Sequence, residues 1–216
     1  MKIETLEVAG FIPALKGMRN PLNSWHKNDS SITNGKLVIG PNDMDRATKL
    51  VKAGPEHCKF LRQIQVWVDM DMPRYWWSEF DTYKFNTKNS CSTMHKLMGR
   101  EILLDDFQYD VIDTAYFEYM VEKLNRCRKG YLDVRSIGGD QKGLNYWLMR
   151  AKRMLPESYL QLRTVNITYA ELMNIYHQRK NHKMGDEWVK TFGAWCEELP
   201  YFKEMCILTM EKKEIK

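Results

Sequence analysis

The run Leu172-Met173-Asn174-Ile175-Tyr176-His177-Gln178-Arg179 ends on a cation at the margin of an apolar helical stripe. Leu172, Ile175, Tyr176 and Arg179 share that stripe, because three- and four-residue spacings stack on one face of a helix. An arginine so placed either snorkels to solvent or donates two parallel hydrogen bonds to a carbonyl or phosphate. Asn174, five residues earlier, lies roughly 140° away around the same helix and addresses a different neighbour. Upstream, Lys152 in Ala151-Lys152-Arg153-Met154-Leu155-Pro156 and Asn166 in Thr164-Val165-Asn166 are further ligand-binding candidates. His57 and His182 have no Cys or His mate at ligand spacing, so neither supports a metal site.

A second constellation follows Pro73. Arg74 is succeeded by Tyr75-Trp76-Trp77, and then by Glu79, Asp81 and Tyr83. The aromatic run reads either as core or interface packing, or as a stacking platform for an isoalloxazine, pterin or nucleobase ring. Asn89, Ser90, Ser92 and Thr93 are small hydrogen-bonding residues that could cradle a phosphate or form a solvated turn.

The elements that must position these residues can be read coarsely. Residues 1–41 carry scattered Gly and Pro, which predicts short strands and loops. Asn42 or Asp43 is the expected cap of a helix reaching Ala53, with Leu50 and Val51 facing inward and Gly54 as its left-handed stop. From Phe60 the pattern has period two: Phe60, Ile64, Val66, Val68 and Met70 share one face of a predicted strand. Residues 75–93 read as a long loop, a class of segment that is often functional. Helices are expected over 110–129, stopped by Gly130, over 141–155, stopped by Pro156, and over 168–182. The last opens with the capping-box pattern Thr168-Tyr169-Ala170-Glu171. A further helix over 186–198 places Trp188, Phe192 and Trp195 at helical spacing before Pro200.

Length and composition narrow the class. The 216 residues suit one domain spanning 1–216, large enough to bury a core without staples. Five cysteines, none in a Cys-x-x-Cys pair, fit reduced thiols in a cytoplasmic protein. Charged residues recur too often for the roughly 18 to 20 apolar residues of a membrane helix. The net charge of +5 comes without a long basic run, so phosphate-bearing ligands are allowed and nucleic acid is not the expected partner.

Two blocks resemble the flavin-dependent thymidylate synthases. The first is Gly54-Pro55-Glu56-His57-Cys58-Lys59-Phe60, the alternating strand and Pro73-Arg74. It is similar to a Glu-His-x-x-Phe element entering a strand that ends in an Arg-His-Arg motif. The second, more specific block comprises Ala151 to Pro156, Thr164 to Asn166, and Leu172 to Arg179 with His182. It is similar to the family's Ala-Arg-x-x-Leu-Pro, Thr-x-Asn and Leu-x-x-Phe-x-x-x-Arg-x-x-x-His series in the same order. Together the blocks and the segments joining them cover roughly residues 45–195.

That resemblance implies an α/β fold, a mixed sheet with packed helices, assembled as a homotetramer with flavin sites between subunits. It implies bound FAD, reduction by NADPH, and transfer of a one-carbon unit from methylene-tetrahydrofolate to C5 of dUMP. It makes Arg179 the arginine that binds the uracil ring and favours its N3 anion. It places His57, Arg74, Glu79, Asn166 and Asn174 at the cofactor, and Arg74, Ser92, Lys152 and Arg179 at the nucleotide. The chain departs from the pattern in keeping only Arg74 of Arg-His-Arg, in a lysine at 152 where the family has arginine, and in an Asn166–Asn174 spacing about two residues long. The downstream motif can be placed at Glu79, Asp81 and Tyr83 or, after an insertion, at 89–95. Three rival readings stand beside the synthase: a noncatalytic nucleotide-binding relative, an enzyme modifying another pyrimidine nucleotide, and a nucleic-acid binder, which would show strong salt dependence.

Overall fold

A computed structural model describes residues 1–209. The α/β reading holds. A four-stranded sheet has the order β1 (Lys2–Ala9), β4 (Gln65–Pro73), β6 (Leu160–Thr168), β5 (Asn86–Ser90). Two short strands, β2 (Ser31–Thr33) and β3 (Lys36–Val38), form a separate antiparallel hairpin. Its turn uses Asn34 and Gly35 at φ 53° and 74°, the backbone that a two-residue hairpin of this twist requires. The chain divides into two compact units, and the division falls within each of the four strands of that sheet.

The first unit comprises Met1–Lys2, Met70–Thr82 and Asn89–Arg163. It holds α3 (Arg74–Phe80), α4 (Thr93–Lys96), α5 (Thr114–Ser136) and α6 (Gln141–Met154). The segment expected to be a loop after Pro73 is the helix α3. Its first amides are satisfied from outside, Arg74 N–H donating to Tyr159 O at 3.1 Å and Tyr75 N–H to Glu157 O at 3.0 Å. Trp76, Trp77 and Phe80 are fully buried on one side of it, Trp76 stacking on Phe80 with centroids 4.9 Å apart. Trp77 donates Nε1–H to Gln161 O at 2.8 Å and lies under the Arg163 guanidinium, 4.3 Å from the ring centroid. The stacking-platform reading of Trp76 and Trp77 is therefore corrected: both rings are core.

Residues 86–90, also expected in that loop, form the polar edge strand β5, whose lysine and small polar side chains suit an exposed edge. Nor does Gly130 stop a helix. It lies inside α5, where a Cβ would come within 2.4 Å of the Trp147 ring of α6, so its lack of a side chain serves close helix approach. The start of this helix also shifts to Thr114, because Asp110 caps a preceding 3-10 turn by accepting from Ile112 N–H. Asp140 caps α6 by accepting from Gly143 N–H at 2.8 Å.

The second unit comprises Ile3–Asp69, Tyr83–Lys88 and, among the described residues, 164–209. It holds α1 (Phe11–Gly17), α2 (Pro41–Ala53), α7 (Tyr169–Arg179) and α8 (Ala194–Glu198). α2 starts one residue before the expected caps, with Pro41 in its first turn and no side-chain cap. Asp43 is unavailable for capping because its carboxylate is buried, paired with Arg19 and accepting from Asn28 and Ser30. Val51 is buried and Leu50 half-buried, and Gly54 ends the helix at φ 123° and ψ 178°, outside the left-handed helical region.

Phe60 belongs to a 3-10 turn over Lys59–Arg62, not to the strand. Adjacent Phe60 and Leu61 are both buried, which a strand with a single inward face does not accommodate. Alternation begins at β4 proper, where Val66, Val68, Met70 and Met72 are fully buried and Trp67 is exposed. In α7 the Thr168 hydroxyl accepts from Glu171 N–H at 3.2 Å. The expected helix over 186–198 is a π-helix, Gly185–Gly193, followed by α8, and it buries Trp188, Phe192 and Trp195.

Candidate functional site

Within the first unit, α4 and the strand segments beside it enclose an open cleft of about 240 Å³. Ser92, Thr93, Lys96 and Arg100 line it together with the carboxylates Asp71, Asp105 and Asp106. Ser92 caps α4 by accepting from His95 N–H at 3.3 Å. Lys152 reaches across from α6 and donates Nζ–H to Thr93 Oγ1 at 2.9 Å. Hydroxyls flanked by amines are the donor set that oxyanions of a phosphate take. Ser92, Thr93 and Lys152, singled out separately in the sequence, are thus brought together. Asn89 and Ser90 lie on β5 instead.

The acidic side of the cleft is partly neutralised. Arg100 donates to both Asp106 oxygens, and Asp106 also accepts from Leu103 N–H at 2.8 Å. This pairing holds the Arg100 proton more firmly than usual. Burial raises the Asp71 carboxyl above its ordinary range, with Asp106 adding to the effect and the Met1 amino group and Arg100 opposing it. Burial likewise pushes the Tyr159 hydroxyl up. Among the described residues no group of His, Cys, Asp and Glu is arranged to hold a metal ion.

Arg74 and Glu79 also belong to this unit, on α3. Arg74 pairs with Glu157 at 2.9 Å, both side chains reaching solvent. Glu79 is half-exposed. Asp81, offered by the sequence as a motif residue, accepts from Arg163 through both oxygens at 3.1 Å.

The second unit contains Arg179, His57, Asn166 and Asn174. Arg179 closes α7 and donates Nε–H to the Tyr83 hydroxyl at 2.8 Å. Its guanidinium lies over two aromatic faces, 5.5 Å from the Tyr83 centroid and 4.8 Å from that of Trp188. Tyr83 in turn donates to Gln178 Oε1 at 3.1 Å, and Gln178 Nε2–H donates to Asn174 Oδ1 at 2.8 Å. Asn174 and Arg179, which point to different neighbours, are therefore joined through Tyr83 and Gln178. A small recess of about 40 Å³ opens beside them, lined by Arg179, Tyr176, Trp188 and Phe192.

Asn166 is occupied within the sheet, its Nδ2–H donating to Val66 O at 3.3 Å. His57 is exposed in the turn before the 3-10 segment. The sequence reading missed Asp71, Arg100, Asp106, Tyr159 and Gln178. Asp71 carried a signal, as a carboxylate between two inward methionines on a period-two strand. The other four had none, since their role depends on non-local neighbours.

No protein-family model matches the chain, and no curated protein matches it. Two crystal structures of the flavin-dependent thymidylate synthase ThyX from Helicobacter pylori, both with FAD and dUMP, match it with TM-scores of 0.72. One shares 16% identity and covers 97% of this chain and 99% of its own, and the other shares 15% and covers 98% and 100%. The chain has the ThyX fold.

At that identity the ThyX likeness concerns the backbone path alone. It accounts for the order of strands and helices while leaving each side chain to be argued on its own geometry. The departure from Arg-His-Arg acquires a structural reason: the position two residues after Arg74 is Trp76, fully buried in α3, so a cation there would be driven into the core.

Proposed function

We propose that this chain binds FAD and a pyrimidine nucleotide and acts as a thymidylate synthase of the flavin-dependent type, transferring a one-carbon unit from methylene-tetrahydrofolate to C5 of dUMP with NADPH as reductant. The observation that carries this reading is a fold match nearly complete in both directions to an enzyme solved with FAD and dUMP.

The residues present suit the phosphate-bearing parts of these ligands: Ser92, Thr93 and Lys96 line one concave surface, and Lys152 adds a second amine through its bond to Thr93. Arg179 is the residue assigned to the pyrimidine ring. Its guanidinium plane is fixed by Tyr83 and Trp188 before any ligand arrives, which reduces the ordering cost of binding a carbonyl or a ring anion. Arg74 supplies phosphate attraction at the end of β4, in competition with Glu157. FAD, when bound, supplies the redox chemistry, while the protein orients the ring and sets its charge environment. The cysteines are not required as nucleophiles; four of the five are buried thiols. The assembly that goes with this reading is a homotetramer.

A second reading has its own support in Trp76 and Trp77, whose burial leaves Arg74 as the remaining cation of the family motif. A relative that keeps a pyrimidine nucleotide and has given up flavin would look like this. Titrating the purified chain with FAD, followed by flavin absorbance, and with dUMP, followed by calorimetry, separates the two. Saturable binding of both supports the synthase, dUMP alone supports the nucleotide binder, and neither ligand binding overturns both.

A further inference from the structure

Glu171, Asn174 and Gln178 follow one another at spacings of three and four, so they share one stripe of α7. Tyr83 meets the end of that stripe, and these four residues and Arg179 all lie in the second unit. They form a single hydrogen-bonded chain. The Asn174 amide donates to the buried Glu171 carboxylate, and Gln178 Nε2–H donates to Asn174 Oδ1 at 2.8 Å. The Tyr83 hydroxyl donates to Gln178 Oε1 at 3.1 Å, and Arg179 Nε–H donates to the Tyr83 oxygen at 2.8 Å. Every donor points toward Glu171. The two ends dictate that order, because a carboxylate only accepts and a guanidinium only donates, which leaves each amide and the phenol one orientation. Burial raises the proton affinity of Glu171, and the Asn174 donor opposes that rise. Asn174 and Gln178 are exposed, where polar side chains ordinarily bond to water. Here they bond to each other, and their chain ends on the cation assigned to the pyrimidine ring. Tyr83 itself is buried, edge-on to the buried Trp188 ring with centroids 6.4 Å apart, so its hydroxyl is a fixed point for Arg179.

Resting on the reading in which Arg179 binds the pyrimidine base, we propose that Tyr83 and Gln178 are positioning residues that act through Arg179, so that base affinity depends on two side chains that do not touch the base. An unbraced arginine samples many rotamers and loses them when a ligand is bound. With Nε anchored, that loss is taken on folding, and the ligand meets a guanidinium already oriented. The Tyr83 ring and hydroxyl divide the task. The ring, 5.5 Å from the guanidinium, attracts the charge without fixing its rotation, whereas the hydroxyl fixes the direction of Nε–H. Gln178 completes the device by taking the phenol proton, which leaves an oxygen lone pair for Arg179. Removing that acceptor frees the hydroxyl to turn, and the chain loses its direction.

Three substitutions in the full chain test this. Tyr83→Phe keeps the ring and removes the hydroxyl, Gln178→Met removes the acceptor at similar length, and Gln178→Glu restores it. NMR of nitrogen-15-labelled arginine without ligand should show one Nε–H signal, missing from Arg179→Ala, that exchanges slowly with water in the wild type and rapidly in Tyr83→Phe and Gln178→Met. Calorimetry should show dUMP and deoxyuridine weakened alike in these two variants, by roughly 2- to 13-fold, the ordering cost of one long side chain. Gln178→Glu should recover both the slow exchange and the affinity. A double-mutant cycle separates positioning from direct contact: in the Arg179→Ala background, Tyr83→Phe should change neither ligand's affinity further, since its route to the base is gone. A purely structural role would lower the unfolding midpoint and leave affinity unmoved. With dUMP bound by the wild type, the proposal is overturned by equal losses in the two backgrounds, by affinities that neither variant changes, or by Gln178→Glu behaving as Gln178→Met. A wild type that binds no dUMP instead removes the pyrimidine reading itself, and the proposal falls with it.

Discussion

Arg179 donates from Nε to the hydroxyl of Tyr83 at 2.8 Å, and the two residues are 96 positions apart in the chain. The contact turns a residue read from a helical stripe into one arm of a braced group. The guanidinium also lies 4.8 Å from the Trp188 ring centroid, and Tyr83 relays the constraint to Gln178 and Asn174. An arginine held this way has already lost much of its rotamer freedom, so its terminal nitrogens present a fixed plane.

Replacing Arg179 by Ala should weaken dUMP and deoxyuridine alike, by roughly 10- to 150-fold, if charge-assisted bonds of about 1.5 to 3 kcal/mol are lost. Arg179→Lys should recover little, since the planar fork is gone. Arg74→Ala should affect dUMP much more than the phosphate-free nucleoside. Calorimetry on these variants with both ligands supplies the comparison. Undiminished affinity of folded Arg179→Ala for both would reject the assignment of Arg179 to the base.

Trp76 is buried against Trp77 and Phe80, so Trp76→Ala should cost about 3 to 5 kcal/mol through lost burial and the cavity left behind. Urea unfolding should show a lower midpoint with an unchanged slope. A stability equal to wild type would mean that the ring is not core.

Gly130→Ala offers a sharper test of the α5–α6 contact. On propensity alone the change should stabilise a helix by about 1 kcal/mol. Because the new methyl would meet the Trp147 ring at 2.4 Å, destabilisation by about 1 to 3 kcal/mol is expected instead. Combining it with Trp147→Leu should remove the penalty specific to Gly130→Ala, measured as a double-mutant cycle.

The pH dependence of stability reports on Asp71. Its folded-state proton affinity is raised, first by burial, so the native chain binds this proton more tightly than the unfolded chain does. Stability from this group is therefore highest below the unfolded aspartate value, near 3.9, and falls as pH rises through the raised native value. Asp71→Asn should consequently gain on wild type across that interval and keep the gain at neutral pH. Unfolding midpoints that stay parallel in the two proteins from pH 4 to pH 8 would exclude a raised native value.

The sequence by itself determined much of the frame. Period-two alternation marked Val66, Val68 and Met70, a capping pattern placed the start of α7 at Thr168, and Pro156 closed the segment of α6. These signals are local: each depends on spacing within a few residues and on the geometry of one strand or one helical turn. They also placed Arg179 at the margin of an apolar face, where its partners are found.

What tertiary structure alone decided is where non-local burial overrides local preference. The sequence 74–80 is aromatic and poor in strong helix formers, yet it is helical because Trp76, Trp77 and Phe80 are buried together and residues 157 and 159 satisfy its first amides. One signal could have found it, since apolar residues at 76, 77 and 80 after Pro73 have helical spacing and a proline start. Gly130 reads as a stop until Trp147 is seen against it, and Asp71, marked in the sequence only as a carboxylate between two inward methionines, meets Arg100, Asp106 and Tyr159 only in the fold. In each case a deciding neighbour lies more than a dozen residues away, and the energy that selects the arrangement resides in packing and desolvation.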